Sequence, residues 1–292
     1  MPELPDIVVY QEALAQRTVA QVLKGVQILN AFVLRTAVPP LASVEGRRVT
    51  AIGRLGKRIV IALEGDLFLV LHLMRAGRLR WFDANKKPAK KSALAVFEFA
   101  DGHLVFTEAG TKRRASLHLL QGESALQALD PGGLEVLESD LATFAARLTS
   151  ERHTLKRALT APALFSGIGG AYCDEILFRA QLAPTSISTS LKPEAIERLY
   201  VAVRAVLGEW ITRLRAAANG EFPAVVTAFH EEMWVHGRFG KPCKSCGHPI
   251  QRIVYAETET NYCAHCQTGG KILADRALSR LLHESWPTSL EL

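Results

Sequence analysis

Four cysteines near the C-terminal end are the residues whose type and spacing point most directly to chemistry. Cys243, Cys246, Cys263 and Cys266 follow the pattern C-x2-C-x16-C-x2-C, and each pair places two thiolates on one tight turn. Four cysteine ligands complete the tetrahedral coordination of Zn²⁺ and leave no position open for a substrate. The spacing therefore predicts one zinc ion with a structural role.

The segment between the two cysteine pairs predicts a β-hairpin that this zinc would anchor. Residues 251–255 are rich in β-forming side chains. Redox-active dithiols are the alternative interpretation, but the surrounding sequence lacks the βαβ pattern of thioredoxin-like proteins. The fifth cysteine, Cys173, has no partner in this pattern, which fits a reducing compartment.

Composition narrows the class of protein. A formal net charge of +6 over 292 residues favours a polyanionic partner, and nucleic acid is the leading candidate. The 48% hydrophobic content excludes a mainly disordered chain. No apolar run approaches the ~20 residues of a membrane span, and the N-terminus lacks the features of a signal peptide. We therefore expect a cytoplasmic globular protein without a membrane partner.

The N-terminal part predicts one short helix followed by many strands. Residues 7–17 carry apolar side chains at helical spacing. Short apolar or alternating runs follow, separated by turn residues, and a lysine-rich loop at 85–91 divides two of them. This pattern predicts a β-sandwich or barrel. The runs cover residues 22–28, 49–55, 58–63, 67–73, 79–82, 94–99, 104–107 and 116–120.

Helical periodicity replaces strand alternation after residue 130. Helices are predicted at 154–159 and 171–180, with a glycine-rich turn between them, and a long apolar stripe begins at Pro193. Gly169 and Gly170 let backbone amides approach an anion at the start of the second helix. Lys156, in the helix before the turn, adds a positive charge. An ordinary glycine turn between packed helices is the alternative.

Several separated motifs together resemble one family. They are Pro-Glu-Leu-Pro-Asp at 2–6, Gly56-Lys57, His72-Leu73, Gly77, Gly-Ile-Gly at 167–169, and the four cysteines followed by Gln267. In this order they are similar to the formamidopyrimidine-DNA glycosylase and endonuclease VIII family over nearly the whole chain.

The resemblance implies an α+β multidomain fold. Its expected parts are an N-terminal β-sandwich with an N-terminal helix (1–130), a helix-two-turn-helix domain (131–235), and a four-cysteine zinc-finger hairpin with a tail (236–292). DNA with damaged bases or abasic sites would bind between the strand-rich and zinc-bearing parts. The family also implies a monomer in the cytoplasm of a bacterial-type cell, associated with the nucleoid.

The resemblance also assigns catalytic roles. Pro2, exposed once Met1 is removed, would use its amine to attack the sugar of an oxidised nucleotide, release the base and nick the strand by β- or β,δ-elimination. Glu3 would act as general acid and base, with a similar contribution from Asp6. Lys57 would contact phosphates that flank the lesion.

Recognition positions depart from the family pattern. Arg75 occupies the slot of a wedge methionine, and Arg113 keeps an arginine whose following aromatic wedge is replaced by Ala115. Gly170 stands where asparagine is expected, and Thr258 stands at the finger arginine. We expect weaker binding or a different lesion geometry unless Arg252 or Lys271 substitutes for these lost polar contacts.

Two other functions fit part of the sequence. A catalytically weak protein that binds abasic, single-stranded or distorted DNA would explain the altered recognition residues. A zinc-ribbon module of transcription or translation would explain the cysteines but would leave the N-terminal motif without a role.

Overall fold

The computed structural model describes residues 1–86, 92–109, 112–227, 229–255, 258–275, 279–281 and 287–290. The lysine-rich loop predicted at 85–91 lies mostly outside these residues. The N-terminal strands are β1 Val22–Leu23, β2 Gly25–Ile28, β3 Arg47–Leu55, β4 Arg58–Leu63, β5 Leu67–His72, β6 Gly77–Asp83, β7 Ala93–Glu98, β8 Gly102–Glu108 and β9 Ser116–Gln121. They form two antiparallel sheets, a five-stranded sheet in the order β1-β3-β4-β5-β9 and a four-stranded sheet in the order β2-β7-β8-β6.

Alternation along the strands decides which side chains form the core between the sheets. On β4, Ile59 and Ile61 belong to the main core cluster, whereas Val60 belongs to a smaller cluster on the other face. Phe97 and Phe106 from the four-stranded sheet join the same main core. One apolar layer therefore holds the two sheets as a β-sandwich.

The run predicted as one strand at 22–28 is two strands in different sheets. β1 pairs with β3, while β2 pairs with β7. Lys24 lies at the break, and its amide donates to the Glu98 carbonyl. The prediction of a single strand was wrong because alternation alone cannot show where a chain leaves one sheet for another.

Helices dominate the rest of the chain, and the predicted ones begin where the capping residues and glycines of the sequence indicate. Thr154 caps its helix by accepting from the Arg157 amide, and the second helix of the turn begins at Gly170. The apolar stripe after Pro193 is largely buried, as predicted. The helices are α1 Leu4–Thr18, α2 Glu123–Gln127, α3 Leu141–Thr149, α4 Leu155–Thr160, α5 Gly170–Arg179, α6 Pro193–Ala218 and α7 Ala264–Thr268.

The cysteine pairs flank the predicted hairpin. Strands β10 (Ile250–Tyr255) and β11 (Thr258–Cys263) pair antiparallel from Ile250 with Cys263 to Tyr255 with Thr258. Helix α7 follows at once and ends at Gly269, which has φ +62°. The hairpin therefore starts and finishes beside zinc ligands.

The chain packs as two compact units. The first unit is Met1–Pro131 with Trp210–Thr227, and the second is Gly132–Glu209 with Ala228–Leu292. The predicted three-domain division at 130 and 235 stays a prediction. Within the described residues, no helix is both long and apolar enough to cross a membrane.

Candidate functional site

The N-terminal residues are fixed in place. Pro2 is buried, and Glu3 and Asp6 are each 3% exposed. Glu3 is the N-cap of α1, and its amide donates to Asp6 Oδ2 at 2.8 Å, the reciprocal contact of a capping box. Pro5 lies in the first turn, where proline fits a helix. Capping and burial therefore hold Pro2 and Glu3 in one position.

Charged groups of both signs surround this terminus. Burial lowers the pKa of the Met1 α-amino group below its ordinary value of 8.0, and Arg78 and Lys57 add to this lowering while Glu3 and Asp6 oppose it. The first unit thus brings Lys57, predicted from its motif, near Pro2 and Glu3. Arg78 had no role in the sequence analysis, although it follows the family glycine at 77.

Burial makes the Asp6 carboxyl group harder to ionise. Burial raises the pKa of Asp6 from 3.8 to about 7, since the charged form loses hydration. Its Oδ1 atom is buried without a hydrogen-bond partner among the described residues. Asp6 can therefore exchange a proton near neutral pH beside the N-terminal residues.

Lys57 lies on a tight hairpin next to two other basic side chains. Gly56 and Lys57 join β3 to β4, and Gly56 has φ +58°, which suits the first position of a II′ turn. Arg58 is the cross-strand partner of His72 on β5. Burial, then the charges of Arg58 and Lys57, lower the pKa of His72 to about 4. The neighbourhood of Lys57 is therefore cationic.

Arg75 and Arg113 are both exposed, each on a connection between strands. The Arg75 turn is tight, because the Gly77 amide donates to the Leu73 carbonyl at 2.8 Å. The Arg113 segment is anchored by Glu108, 3% exposed, whose carboxylate accepts from the Arg114 amide at 2.9 Å. The sequence analysis missed Glu108, because this contact closes a loop with no pattern of its own.

In the second unit, Lys156 is committed to an internal contact. Its Nζ donates to Asp174 Oδ1 at 2.5 Å and to the Gly170 carbonyl at 2.6 Å, and its side chain is 18% exposed. Gly169 caps α5. Lys156, Gly169 and Gly170 thus meet as predicted, with Lys156 shaping the turn; their contact with DNA stays a prediction.

Two adjacent carboxylates fasten helix α5 to the finger and to the segment that precedes it, and neither carries a signal in the sequence. Asp174 Oδ2 accepts from the Asn261 amide at 3.1 Å and lies 2.8 Å from His236 Nδ1. Glu175 accepts from the amides of Trp234, Val235 and His236 at 2.8–2.9 Å. Buried carboxylates satisfied in this way hold backbone segments in fixed positions.

The four predicted zinc ligands converge. Their sulfur atoms all lie within 4.8 Å of one another, and those of Cys246 and Cys263 are 3.5 Å apart. Tetrahedral zinc with bonds of about 2.3 Å places sulfurs about 3.8 Å apart, so the cluster fits. Burial raises the pKa of Cys266 to about 11, so zinc must displace protons when it binds.

A second group of possible ligands, Cys246, His248 and His265, lies beside this cluster. The two imidazole rings stack 4.7 Å apart with planes only 6° from parallel. An imidazole binds a metal in its own plane, and one ion cannot lie in two parallel planes. The four-cysteine set is therefore the zinc site that the geometry supports.

The hairpin register separates Thr258 from its expected substitute. Thr258 pairs with Tyr255, and Arg252 pairs with Asn261, so Arg252 and Thr258 lie on opposite faces. The Arg252 guanidinium stacks 4.2 Å from the Phe239 ring centroid and lies 3.6 Å from Glu259. Arg252 does not occupy the place of the expected finger arginine.

Comparisons with known proteins agree with this architecture. Residues 1–114 match the formamidopyrimidine-DNA glycosylase N-terminal domain, 133–218 its H2TH domain, and 240–269 the zinc finger found in FPG and IleRS. The formamidopyrimidine-DNA glycosylase of Heliobacterium modesticaldum is 34% identical, covering 91% of this chain and all of its own.

Solved structures share the fold. The MutM (Fpg) protein of Thermus thermophilus is 29% identical with a TM-score of 0.75, covering 91% of this chain and 98% of its own. Lactococcus lactis formamidopyrimidine-DNA glycosylase, bound to DNA with an abasic site, is 24% identical with a TM-score of 0.79, covering 91% and 99%. The predicted fold class and structural zinc site are confirmed, and the chain belongs to the formamidopyrimidine-DNA glycosylase family.

Proposed function

We propose that this protein is a base-excision-repair enzyme, a DNA glycosylase and abasic-site lyase that removes oxidised bases and nicks the strand. The observation that carries this proposal is the fixed arrangement of Pro2, Glu3 and Asp6, with the positive charges of Lys57 and Arg78 acting on the same N-terminal group. Family membership supports it. The substrate is DNA that contains a damaged base or an abasic site.

Pro2 supplies the nucleophile after removal of Met1. Its secondary amine attacks C1′ of the damaged nucleotide and loses its proton, while the base leaves with the bonding electron pair and takes up a proton. The C1′–O4′ bond of the sugar then breaks as O4′ takes up a proton, and the nitrogen lone pair completes the iminium ion. This cation acidifies the C2′ proton, whose removal expels the 3′ phosphate as the strand breaks. Base release and nicking therefore share one covalent intermediate.

Glu3 and Asp6 move the protons that these steps require. Glu3 directly follows the nucleophile and stabilises the developing positive charge. Asp6 can take up or release a proton near neutral pH, since burial raises its pKa to about 7.

The cationic neighbourhood of Lys57 binds the phosphates on either side of the lesion. Arg58 and His72 are cross-strand neighbours in this region, and phosphate contacts fix the register of a protein on DNA. In the second unit, the turn at Gly169 and Gly170 binds the DNA backbone, and so does the zinc hairpin. Zinc maintains the hairpin and takes no part in bond breaking. The damaged nucleotide must leave the duplex to reach Pro2, and the exposed side chains of Arg75 and Arg113 contact the DNA around it.

This chemistry acts on one lesion at a time, so a monomer in the cytoplasm is sufficient for it.

Oligonucleotides test this function directly. Met1-free protein is incubated with strands that carry one oxidised purine, one oxidised pyrimidine or one abasic site, each as duplex and single strand. We expect base release and nicking on at least one duplex. The altered residues at Gly170 and Thr258 favour a second candidate, a binder of distorted DNA without catalysis. Binding without any base release or nicking across the panel would establish that alternative.

A further inference from the structure

The family matches end at residue 269, and described residues beyond it contact the zinc hairpin. We call the described residues 270–275, 279–281 and 287–290 the C-terminal brace. We propose that this brace holds the finger hairpin in the conformation that binds DNA, and that Asp275 is its main positioning residue. The proposal rests on the proposed function, since DNA is the ligand.

Two buried groups connect the brace to the hairpin. The Val254 amide of β10 donates to Asp275 Oδ2 at 2.6 Å, and Asp275 is 1% exposed. The Leu273 amide donates to the Tyr262 hydroxyl of β11 at 2.7 Å, and Tyr262 is fully buried. Each strand of the hairpin therefore has its own attachment to the brace.

The two ends of the brace close on each other. The Ile272 amide donates to the Thr288 carbonyl, and the Leu290 amide donates to the Gly270 carbonyl, both at 3.0 Å. Lys271 and Ser289 form an antiparallel bridge between them. These bonds begin beside Gly269, where α7 ends, so the brace is tied to the finger and not only to the hairpin strands.

The Asp275 carboxylate contacts a hairpin strand that has only one neighbouring strand in the part of the chain that the structure describes. Two-stranded hairpins are marginal by themselves, and β10 and β11 pair only with each other among the described strands. The Asp275 side chain supplies a buried acceptor for the Val254 amide of this two-stranded sheet. The Ser279 amide donates to the Asp275 carbonyl at 2.7 Å, which fixes the backbone that carries this carboxylate.

Preorganisation explains why a finger without its arginine benefits from such a brace. Thr258 donates its hydroxyl hydrogen to the Tyr255 carbonyl at 2.7 Å, so it closes the turn and adds no charge. Binding costs less when the bound conformation is already formed. The brace therefore restores through rigidity part of the affinity that the missing cation would provide.

Amide hydrogen exchange tests the brace without DNA. In Asp275→Ala we expect residues 250–255 to exchange about tenfold faster than in the natural protein, because the Val254 amide loses its acceptor. Asp275→Asn, which keeps an acceptor oxygen, should restore most of the protection. Leu281→Ala, at a residue 74% exposed on the same segment, should change nothing. Unchanged exchange in Asp275→Ala overturns the proposal, whatever the protein does with DNA.

DNA binding tests the functional half with a duplex that carries a reduced abasic site, which cannot be cleaved. We expect Asp275→Ala and a chain ending at residue 269 to bind this duplex about tenfold more weakly. On a second duplex with an intact abasic site, at saturating concentration, their single-turnover nicking rate should be unchanged. Unchanged affinity with faster exchange overturns the positioning role, and so does loss of zinc from both variants. If the natural protein itself does not bind this duplex, the proposed function fails, and the exchange result still decides the brace.

Discussion

The N-terminal end and the zinc-bearing unit differ in how closely they follow the predicted family pattern. At the N-terminal end, the predicted catalytic residues Pro2, Glu3 and Lys57 are buried or half-buried in a charged neighbourhood. In the second unit all four predicted zinc ligands converge, whereas Gly170 and Thr258 stand where the resemblance predicts polar contacts to DNA. Bond chemistry needs particular atoms at particular points, whereas affinity for a backbone is a sum of contacts that can be redistributed.

The largest expected effect tests the N-terminal side of this comparison. Glu3→Gln keeps the size of the side chain but removes the ionisable group, so we expect base excision to fall about 10²–10⁴-fold. Affinity for the reduced-abasic duplex should change little. Single-turnover kinetics measure the first quantity and fluorescence anisotropy the second. Glu45→Gln, at an exposed site, serves as control; an equal loss there, or none in Glu3→Gln, contradicts the account.

The next effect tests the finger. Cys263→Ser removes one of four ligands, so we expect loss of bound zinc and a fall in DNA affinity of about 10²-fold, because metal binding and local folding are coupled. Native mass spectrometry measures the zinc content, and fluorescence anisotropy with the reduced-abasic duplex measures the affinity. Cys173→Ala, at a buried cysteine outside the cluster, should keep its zinc. A zinc-free variant with normal affinity would break the comparison.

A pH effect sharpens the description of the cationic neighbourhood. The pKa of His72 is lowered from 6.5 to about 4, so between these pH values the unfolded chain takes up a proton that the folded protein refuses. Stability from this group is therefore present above pH 6.5 and is lost as pH falls toward 4, by at most about 3 kcal/mol. The free energy of unfolding, measured with denaturant, should fall less steeply as the pH is lowered in His72→Gln than in the natural protein. An equal dependence of the unfolding free energy on pH in the two proteins would refute this.

The smallest expected effect concerns the turn before α5, where an asparagine at position 170 would restore the residue that the resemblance predicts. A Cβ atom at Gly170 would meet only Lys156 Nζ, at 3.8 Å, with no backbone strain. Gly170→Asn should therefore fold normally and bind the reduced-abasic duplex up to about tenfold more tightly through one added polar contact. Gly170→Ala is the matched variant without the amide. Equal affinity in the two variants would show that this turn does not contact the DNA.

Local pattern was enough for much of the fold. Alternation found most of the strands, Thr154 and Pro193 marked helix starts, and the cysteine spacing located the zinc site. It failed at Lys24, where the chain changes sheets, because period-two alternation continues through such a step.

Long-range hydrogen bonds account for what sequence could not supply. Glu108 anchors the Arg113 loop, Asp174 joins the turn to β11, and Asp275 braces β10. Each is a carboxylate that looks like an ordinary charged residue until the fold buries it against distant amides. Pro2 and Glu3 were accessible to prediction as catalytic residues because their motif is contiguous, whereas these three carboxylates contact segments that are distant in the sequence.

Borohydride trapping tests the central claim most directly. Met1-free protein is mixed with duplex DNA that carries an abasic site, reduced with sodium borohydride and digested, and the crosslinked peptide is identified by mass spectrometry. We predict a covalent adduct on the nitrogen of Pro2, formed by reduction of the iminium ion. No adduct from protein whose N-terminus is confirmed as Pro2, or an adduct on a lysine instead, would contradict the account.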